Sequence, residues 1–167
     1  ENSFNLITVD GCMSTNDSVI LLANSAAGNP QIGEGKGFNA FLSCLNTVCL
    51  QLAKMIVKDA EGATKFIKIK VREAKNFSEA KAVALQIANS NLFKAAVYGE
   101  NPNFGRIVAA AGASGASIKE KDLKIKVSPL EKKEIEVVVS IGRGNAEAVV
   151  YTSDLTPKYI KINAQYN

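Results

Sequence analysis

The sequence contains no histidine. That absence excludes a Ser-His-Asp triad, a Cys-His pair and any histidine-ligated zinc site within the chain. Cysteine is scarce: Cys12, Cys44 and Cys49 are odd in number and form no CxxC pair. This usage speaks against a disulfide framework or a cysteine metal site, and for a reducing, cytoplasmic compartment. No apolar run reads as long enough to span a bilayer, and the opening Glu1-Asn2-Ser3 shows no signal-peptide pattern. No basic block with interleaved aromatics is present to track phosphates. The net charge of +4, from 20 basic and 16 acidic residues, is spread along the chain. The expectation is a solvated surface, with neither nucleic acid nor a membrane as partner.

Without histidine, acyl transfer would need another base. One solution is an N-terminal residue whose own α-amine activates its side chain. Glu1 cannot be such a nucleophile, so a catalytic nucleophile is expected from another chain.

What is present is an ordinary globular composition. The 167 residues are 47% hydrophobic and 22% charged, which suits one domain, or a domain plus a small lobe. Phe4 to Val9 reads as a strand, and Ser14-Thr15-Asn16-Asp17 as a turn held by side-chain-to-backbone hydrogen bonds. Val19 to Leu22 reads as a short strand buried on both faces. Gly28 to Gly37 reads as a loop, since Gly33-Glu34-Gly35-Lys36-Gly37 lacks the spacing and the following Ser/Thr of a phosphate loop. Phe38 to Ile56 is the clearest helix, with Phe38, Phe41, Leu42, Leu45, Val48, Cys49, Leu52, Met55 and Ile56 on one face. That stripe is expected to be a core face, with Leu45 and Leu52 fully buried.

Thr64 to Val71 reads as a strand with Ile67, Ile69 and Val71 inward. Ser78 is expected to cap a helix whose inner face is Ala80, Val83, Ala84, Ile87 and Ala88. Lys94 to Tyr98 reads as a strand. Asn101-Pro102 reads as the cap and first position of a helix stopping near Gly112. Three strands are expected last: Ile135 to Ile141, Ala146 to Thr152 and Lys158 to Ile162, the first two joined as a hairpin by Gly142-Arg143-Gly144-Asn145. The order of elements implies a mixed α/β (α+β) layered structure, with helices packed on mixed β-sheets.

The connection Asp59-Ala60-Glu61-Gly62-Ala63-Thr64-Lys65 stands out, because it sets a single acid beside a glycine between a long helix and a strand. Loops at the ends of rigid elements are where binding groups concentrate. The plain reading is a helix stop, with Gly62 supplying positive φ and Glu61 solvated.

An ordered series of segments raises a second reading. Ile7-Thr8-Val9-Asp10-Gly11, Ser14-Thr15-Asn16-Asp17, Asp59 to Lys65, Ile87-Ala88-Asn89-Ser90, Asn101 to Ile107, Gly142-Arg143-Gly144, Ser153-Asp154-Leu155-Thr156 and Ile162-Asn163-Ala164 occur in that order and spacing. Together they resemble the β chain of the ornithine acetyltransferase family, some of whose members are bifunctional and also act as N-acetylglutamate synthase. The resemblance implies an N-terminal-nucleophile-like acyltransferase fold, with residues 1–167 forming most of one β chain and room for a smaller C-terminal α/β lobe. It implies a precursor that cleaves itself before a threonine. The freed threonine takes acetyl from N-acetylornithine, releases ornithine and passes the acetyl group to glutamate, with an oxyanion hole on the α chain.

The implied partners are an α chain from the same precursor, in an α2β2 assembly, and the substrates N-acetylornithine, ornithine and glutamate. No metal and no cofactor beyond the acetyl donor (N-acetylornithine, and acetyl-CoA in a bifunctional enzyme) is implied. Two residues carry over as substrate contacts. Glu61 stands at the family's substrate-binding glutamate, whose charge suits the cationic amine of ornithine. Asn163 matches a C-terminal asparagine, whose amide can donate to a carboxylate and accept from an ammonium. The chain departs from the pattern at both ends. Its match begins after the nucleophilic threonine, and Tyr166-Asn167 stands where the family has a substrate-contacting threonine. The expectation is therefore a β-chain fragment that is inactive alone. A subunit of an N-terminal-nucleophile amidohydrolase and a non-catalytic assembly subunit remain as alternatives.

Overall fold

A computed structural model of the chain describes residues 2–165. Glu1, Tyr166 and Asn167, which enter the expectations about both ends, lie outside the described residues. The elements with regular structure are α1 (Lys36–Lys58), β1 (Phe66–Ala74), α2 (Phe77–Ala88), α3 (Asn91–Tyr98), α4 (Phe104–Gly112), β2 (Lys124–Val127), β3 (Glu134–Ser140), β4 (Ala146–Ser153) and α5 (Pro157–Asn163), with short 3-10 turns at Phe4–Leu6 and Glu120–Asp122.

The sheet has the order β2-β3-β1-β4, with β1 parallel to β3 and antiparallel to β4. Alternation dictates its faces. Ile67, Ile69 and Val71 of β1, Val137 and Val139 of β3 and Val150 of β4 point to one side and are fully buried. There they meet the alanine-rich face of α2, whose Ala80, Val83, Ala84, Ile87 and Ala88 are also fully buried. The helix starts two residues before the expected Ser78. Asn76 is the cap, its Oδ1 accepting from the Glu79 N–H at 2.8 Å. The other face carries Lys68 and Lys70, ion-paired to Glu136 and Glu147 at 2.8 Å each. At its end Phe66 and Tyr151 stack 5.6 Å apart, and Lys54 of α1 lies 5.0 Å over the Tyr151 ring. The result is the expected layered arrangement of helices on a mixed sheet.

Several local expectations are corrected. Phe4 to Val9 is not a strand. Its first half is a 3-10 turn, and only Ile7 bridges to Tyr151. Val19 to Leu22 forms no element and is exposed, Leu22 at 89%. Lys94 to Tyr98 belongs to α3, started by Ser90, whose Oγ accepts from Phe93 N–H. Asn103, not Asn101, is the cap position of α4. Lys158 to Ile162 belongs to α5, with Thr156 as cap and Pro157 in the first turn. Gly142 to Asn145 does not close a hairpin, because β1 lies between β3 and β4. The loop crosses the end of β1, where Arg143 and Gly144 N–H groups donate to the Glu73 carbonyl. Gly144 sits so close to that strand that a Cβ would lie 2.6 Å from the Ala74 carbonyl oxygen. The hairpin is β2-β3, and β2 was not foreseen.

The largest correction concerns α1. The helix is present, but its apolar stripe faces outward. Leu45 is only partly buried, Leu52 is 47% exposed, and Cys49 is partly buried. Ala53 and Val57 are the fully buried positions. The row through these two lies about a quarter-turn round the helix from the row through Leu52 and Ile56. The long side chains are therefore turned off the sheet. With 23 residues, α1 has the length and composition to cross a bilayer, where the sequence reading found no such run; here its C-terminal turns pack beside β4 instead. A Leu52→Ala change in this chain is expected to cost at most about 1 kcal/mol, since little apolar area is withdrawn from water at that position. Urea denaturation measures this, and a loss of several kcal/mol would put Leu52 in the core after all.

Candidate functional site

The two residues singled out for substrate binding, Glu61 and Asn163, are 102 positions apart in sequence and in contact in space. Asn163 Nδ2 donates to Glu61 Oε2 at 2.9 Å and to the Tyr159 carbonyl at 3.1 Å. Both side chains are exposed. Among the described residues, Glu61 Oε1 and the Asn163 side-chain carbonyl have no hydrogen-bond partner. The pair can therefore offer a carboxylate oxygen and an amide oxygen to an incoming ammonium group.

Glu61 is placed by the turn after α1. The helix ends with Asp59 N–H bonded to the Met55 carbonyl, and Ala63 N–H closes a turn onto Ala60. Gly62 has φ +68, the positive value expected of it, but the reason reaches beyond the helix stop. A Cβ there would lie 2.6 Å from Tyr159 N and 2.9 Å from the Lys158 carbonyl carbon. Only a glycine lets the turn touch the first turn of α5. Thr156 seals this contact. Its hydroxyl donates to the Gly62 carbonyl at 2.7 Å and accepts from Tyr159 N–H at 3.1 Å.

Asp154 holds the other end of the turn. The residue is 3% exposed, and its Oδ1 accepts from the Thr64 and Lys65 N–H groups at 2.9 Å each. With these donors and the Thr64 hydroxyl, both oxygens of the buried side chain are hydrogen-bonded. The Lys65 side chain runs away from the site to Glu100 at 2.7 Å and to the Leu130 carbonyl.

A third segment joins the site. Asp10 Oδ2 accepts from the Tyr159 hydroxyl at 2.7 Å, and Oδ1 accepts from Cys12 N–H at 2.9 Å. Lys94, 2% exposed, donates its amine to the Val9 carbonyl. Thr8 donates to Asn89 Oδ1 at 2.7 Å, tying the same segment to the end of α2. Burial alone would push the Asp10 carboxyl up. The Tyr159 hydroxyl, the Cys12 N–H and the Lys94 charge outweigh it and hold the group below its usual value. Burial depresses the Lys94 amine against the opposing charges of Asp10 and Asp154. Donation to Asp10, helped by burial, pushes the Tyr159 hydroxyl up to about 12.

The raised Tyr159 value gives a checkable linkage. A hydroxyl whose folded pKa lies above its unfolded value of about 10 stabilises the fold fully below that value, and the contribution is lost as pH rises from about 10 through 12. In an ultraviolet difference titration, one tyrosine is expected to ionise near 12. Asp10→Ala should bring it back toward 10. If the wild-type chain shows no such late step, the Tyr159–Asp10 bond is absent in solution.

Sequence reasoning assigned no role to Asp10, Lys94, Asp154 or Tyr159. Asp10 and Asp154 lie within segments that carry the resemblance, and Lys94 is the one charge in the apolar run Leu92 to Val97. Ser14 behaves as expected, its hydroxyl accepting from Asn16 and Asp17 N–H groups at 3.1 and 3.0 Å. The three cysteines are free; Cys12 lies in the Asp10 segment, while Cys44 and Cys49 lie on α1.

Comparison with known proteins places the chain among its relatives. The sequence is 44% identical to an arginine biosynthesis bifunctional protein ArgJ of Geobacter sulfurreducens, over 99% of this chain and 48% of that protein. It is 42% identical to a glutamate N-acetyltransferase of Methanopyrus kandleri, over 99% of this chain and 48% of the relative. The chain thus spans about half the length of the curated relatives it matches. The crystal structure of an arginine biosynthesis bifunctional protein ArgJ from Bacillus halodurans superimposes with a TM-score of 0.91 at 36% identity, covering 98% of this chain and 87% of that one. The ArgJ family model matches residues 1–131 and 126–167, and with these relatives it establishes that the chain belongs to the ArgJ family.

Proposed function

We propose that this chain is the β-chain part of a glutamate N-acetyltransferase that moves acetyl from N-acetylornithine to glutamate in arginine biosynthesis. The observation that carries the reading is the meeting of Glu61 and Asn163 at 2.9 Å, on a turn and a helix end open to solvent. Glu61 holds the side-chain nitrogen region of the ornithine substrate, and Asn163 orients it through its amide. Both groups bind and align; neither is placed to attack a carbonyl. The acyl-carrying nucleophile is an N-terminal threonine, its amine acting as base, and it comes with the rest of the enzyme. The reaction needs no metal and no cofactor beyond the acetyl donor, which is N-acetylornithine and, in a bifunctional enzyme, acetyl-CoA.

The partner is an α chain of the same precursor, in an α2β2 assembly in the cytoplasm. Its contact is supported by the outward apolar stripe of α1 and by the groove between that helix and the exposed Ser18 to Ile20 segment, lined by Val19, Ile20, Leu52, Met55 and Ile56. An exposed apolar face of this kind supports the reading of an interaction surface.

Coexpression with the remaining part of the precursor tests the proposal. The purified assembly should form N-acetylglutamate and ornithine in equal amounts from N-acetylornithine and glutamate. Intact mass should reveal a peptide beginning with threonine. Release of acetate without N-acetylglutamate would favour an amidohydrolase, and no reaction with any acetylated amino acid would favour an assembly subunit.

A further inference from the structure

Helix α5 carries the Asn163 amide, yet it has little of its own to hold it in place. It is seven residues long and none of its side chains is buried. Isolated helices shorter than about 12–15 residues are marginal in water, and in proteins it is packing that normally sustains them. With no fully buried side chain, α5 has only its close approach to Gly62 as packing, and polar ties add to that contact in fixing its direction. Three are present. Thr156 binds the first turn to Gly62, Asn163 meets Glu61, and the Tyr159 hydroxyl reaches Asp10.

The third tie differs from the other two. It is the one that joins α5 to a segment outside the Glu61 turn, 149 residues away in sequence. That segment is itself fixed from beneath. The buried Lys94 amine takes the Val9 carbonyl, next to Asp10, and Thr8 takes Asn89. The same Tyr159 whose hydroxyl is held by Asp10 also accepts the Asn163 amide on its backbone carbonyl. One residue thus couples the Asp10 segment to the group that meets Glu61.

We infer that Tyr159 is a positioning residue and that its hydrogen bond to Asp10 sets the direction of α5, so that the Asn163 amide and the Glu61 carboxylate converge on the amino-acid substrate. The inference rests on the acetyltransferase reading for the identity of that substrate. Neither Tyr159 nor Asp10 takes part in the bond-making step. Their contribution is to binding geometry, and it appears in KM more than in kcat.

The test uses the coexpressed assembly. Tyr159→Phe removes only the hydroxyl and should raise KM for N-acetylornithine at least fivefold while kcat falls less than threefold. Asp10→Ala should do the same. Asp10→Asn, which can still accept the hydroxyl, should lose less than Asp10→Ala. The double variant Tyr159→Phe/Asp10→Ala should be no worse than the worse single, because both remove one bond. An unchanged KM in Tyr159→Phe, or effects that multiply in the double variant, would overturn the inference. Amide hydrogen exchange separates this outcome from failure of the functional reading. If the wild-type assembly transfers no acetyl, the acetyltransferase reading falls and exchange decides the tether. Faster exchange of Ile160, Ala164 and Gln165 in Tyr159→Phe supports it, and identical exchange overturns it.

Discussion

On the proposed acetyltransferase reading, Glu61→Gln in the complete assembly is expected to weaken N-acetylornithine and ornithine binding by roughly ten- to a hundredfold, at 1.4 kcal/mol per decade. The substitution keeps the shape of the side chain and an oxygen that can accept from Asn163 Nδ2, now at 2.9 Å from the carboxylate. What it removes is the negative charge, and a hydrogen bond to a charged group is worth about 1.5–3 kcal/mol. Folding should change little. Glu61 is exposed, and exposed ionic contacts contribute at most about 1 kcal/mol. Isothermal titration with each ligand, beside a thermal melt, separates the two effects. Unchanged binding with a lowered melting temperature would make Glu61 a structural residue of the turn.

The second large effect is expected at Gly62. Gly62→Ala forces a side chain into the left-handed region at φ +68 and drives its Cβ to within 2.6 Å of Tyr159 N. The first term costs about 1–2 kcal/mol, and overpacking against backbone that cannot swing aside typically adds about 1–3 kcal/mol. A loss of roughly 2–5 kcal/mol in denaturant unfolding follows from these two terms. The cheapest relief is for α5 to move off the turn, which breaks the Thr156 bond to the Gly62 carbonyl and parts Asn163 from Glu61. Gly62→Ala should therefore lose substrate binding along with stability, unlike Glu61→Gln. A variant as stable as wild type would mean that the turn and α5 are not in contact in solution.

These two neighbours illustrate how unevenly the site could be read. Glu61 and Asn163 became candidates only through the resemblance of ordered segments, and nothing local marked an acid in a loop and an amide near a helix end as the contacting pair they form. Gly62 was legible as a positive-φ glycine, but its closer constraint, the backbone of α5, was not. Asp10, Lys94 and Tyr159 were not legible at all. Each gains its place only from a partner far along the chain, 85 positions away for Lys94 with Val9 and 149 for Asp10 with Tyr159.

The sequence by itself determined the elements whose burial pattern repeats along the chain. Ile67, Ile69 and Val71 alternate because a strand turns its side chains through half a turn per residue, and Ala80, Val83, Ala84, Ile87 and Ala88 share a face because a helix repeats every 3.6 residues. It also determined the family, through the order of its motifs. The tertiary structure decided what such periodicity cannot. A run as short as Lys94 to Tyr98 or Lys158 to Ile162 fits either strand or helix, and the caps at Ser90 and Thr156 turned both into helices. It decided that β1 lies between β3 and β4, and that α1 sets Ala53 and Val57 rather than Leu45 and Leu52 toward the sheet. Above all it decided which distant polar groups meet. The backbone's local geometry fixes neighbours a few residues apart, whereas pairs such as Asp10 with Tyr159 form only once packing has brought separate elements to within hydrogen-bond reach.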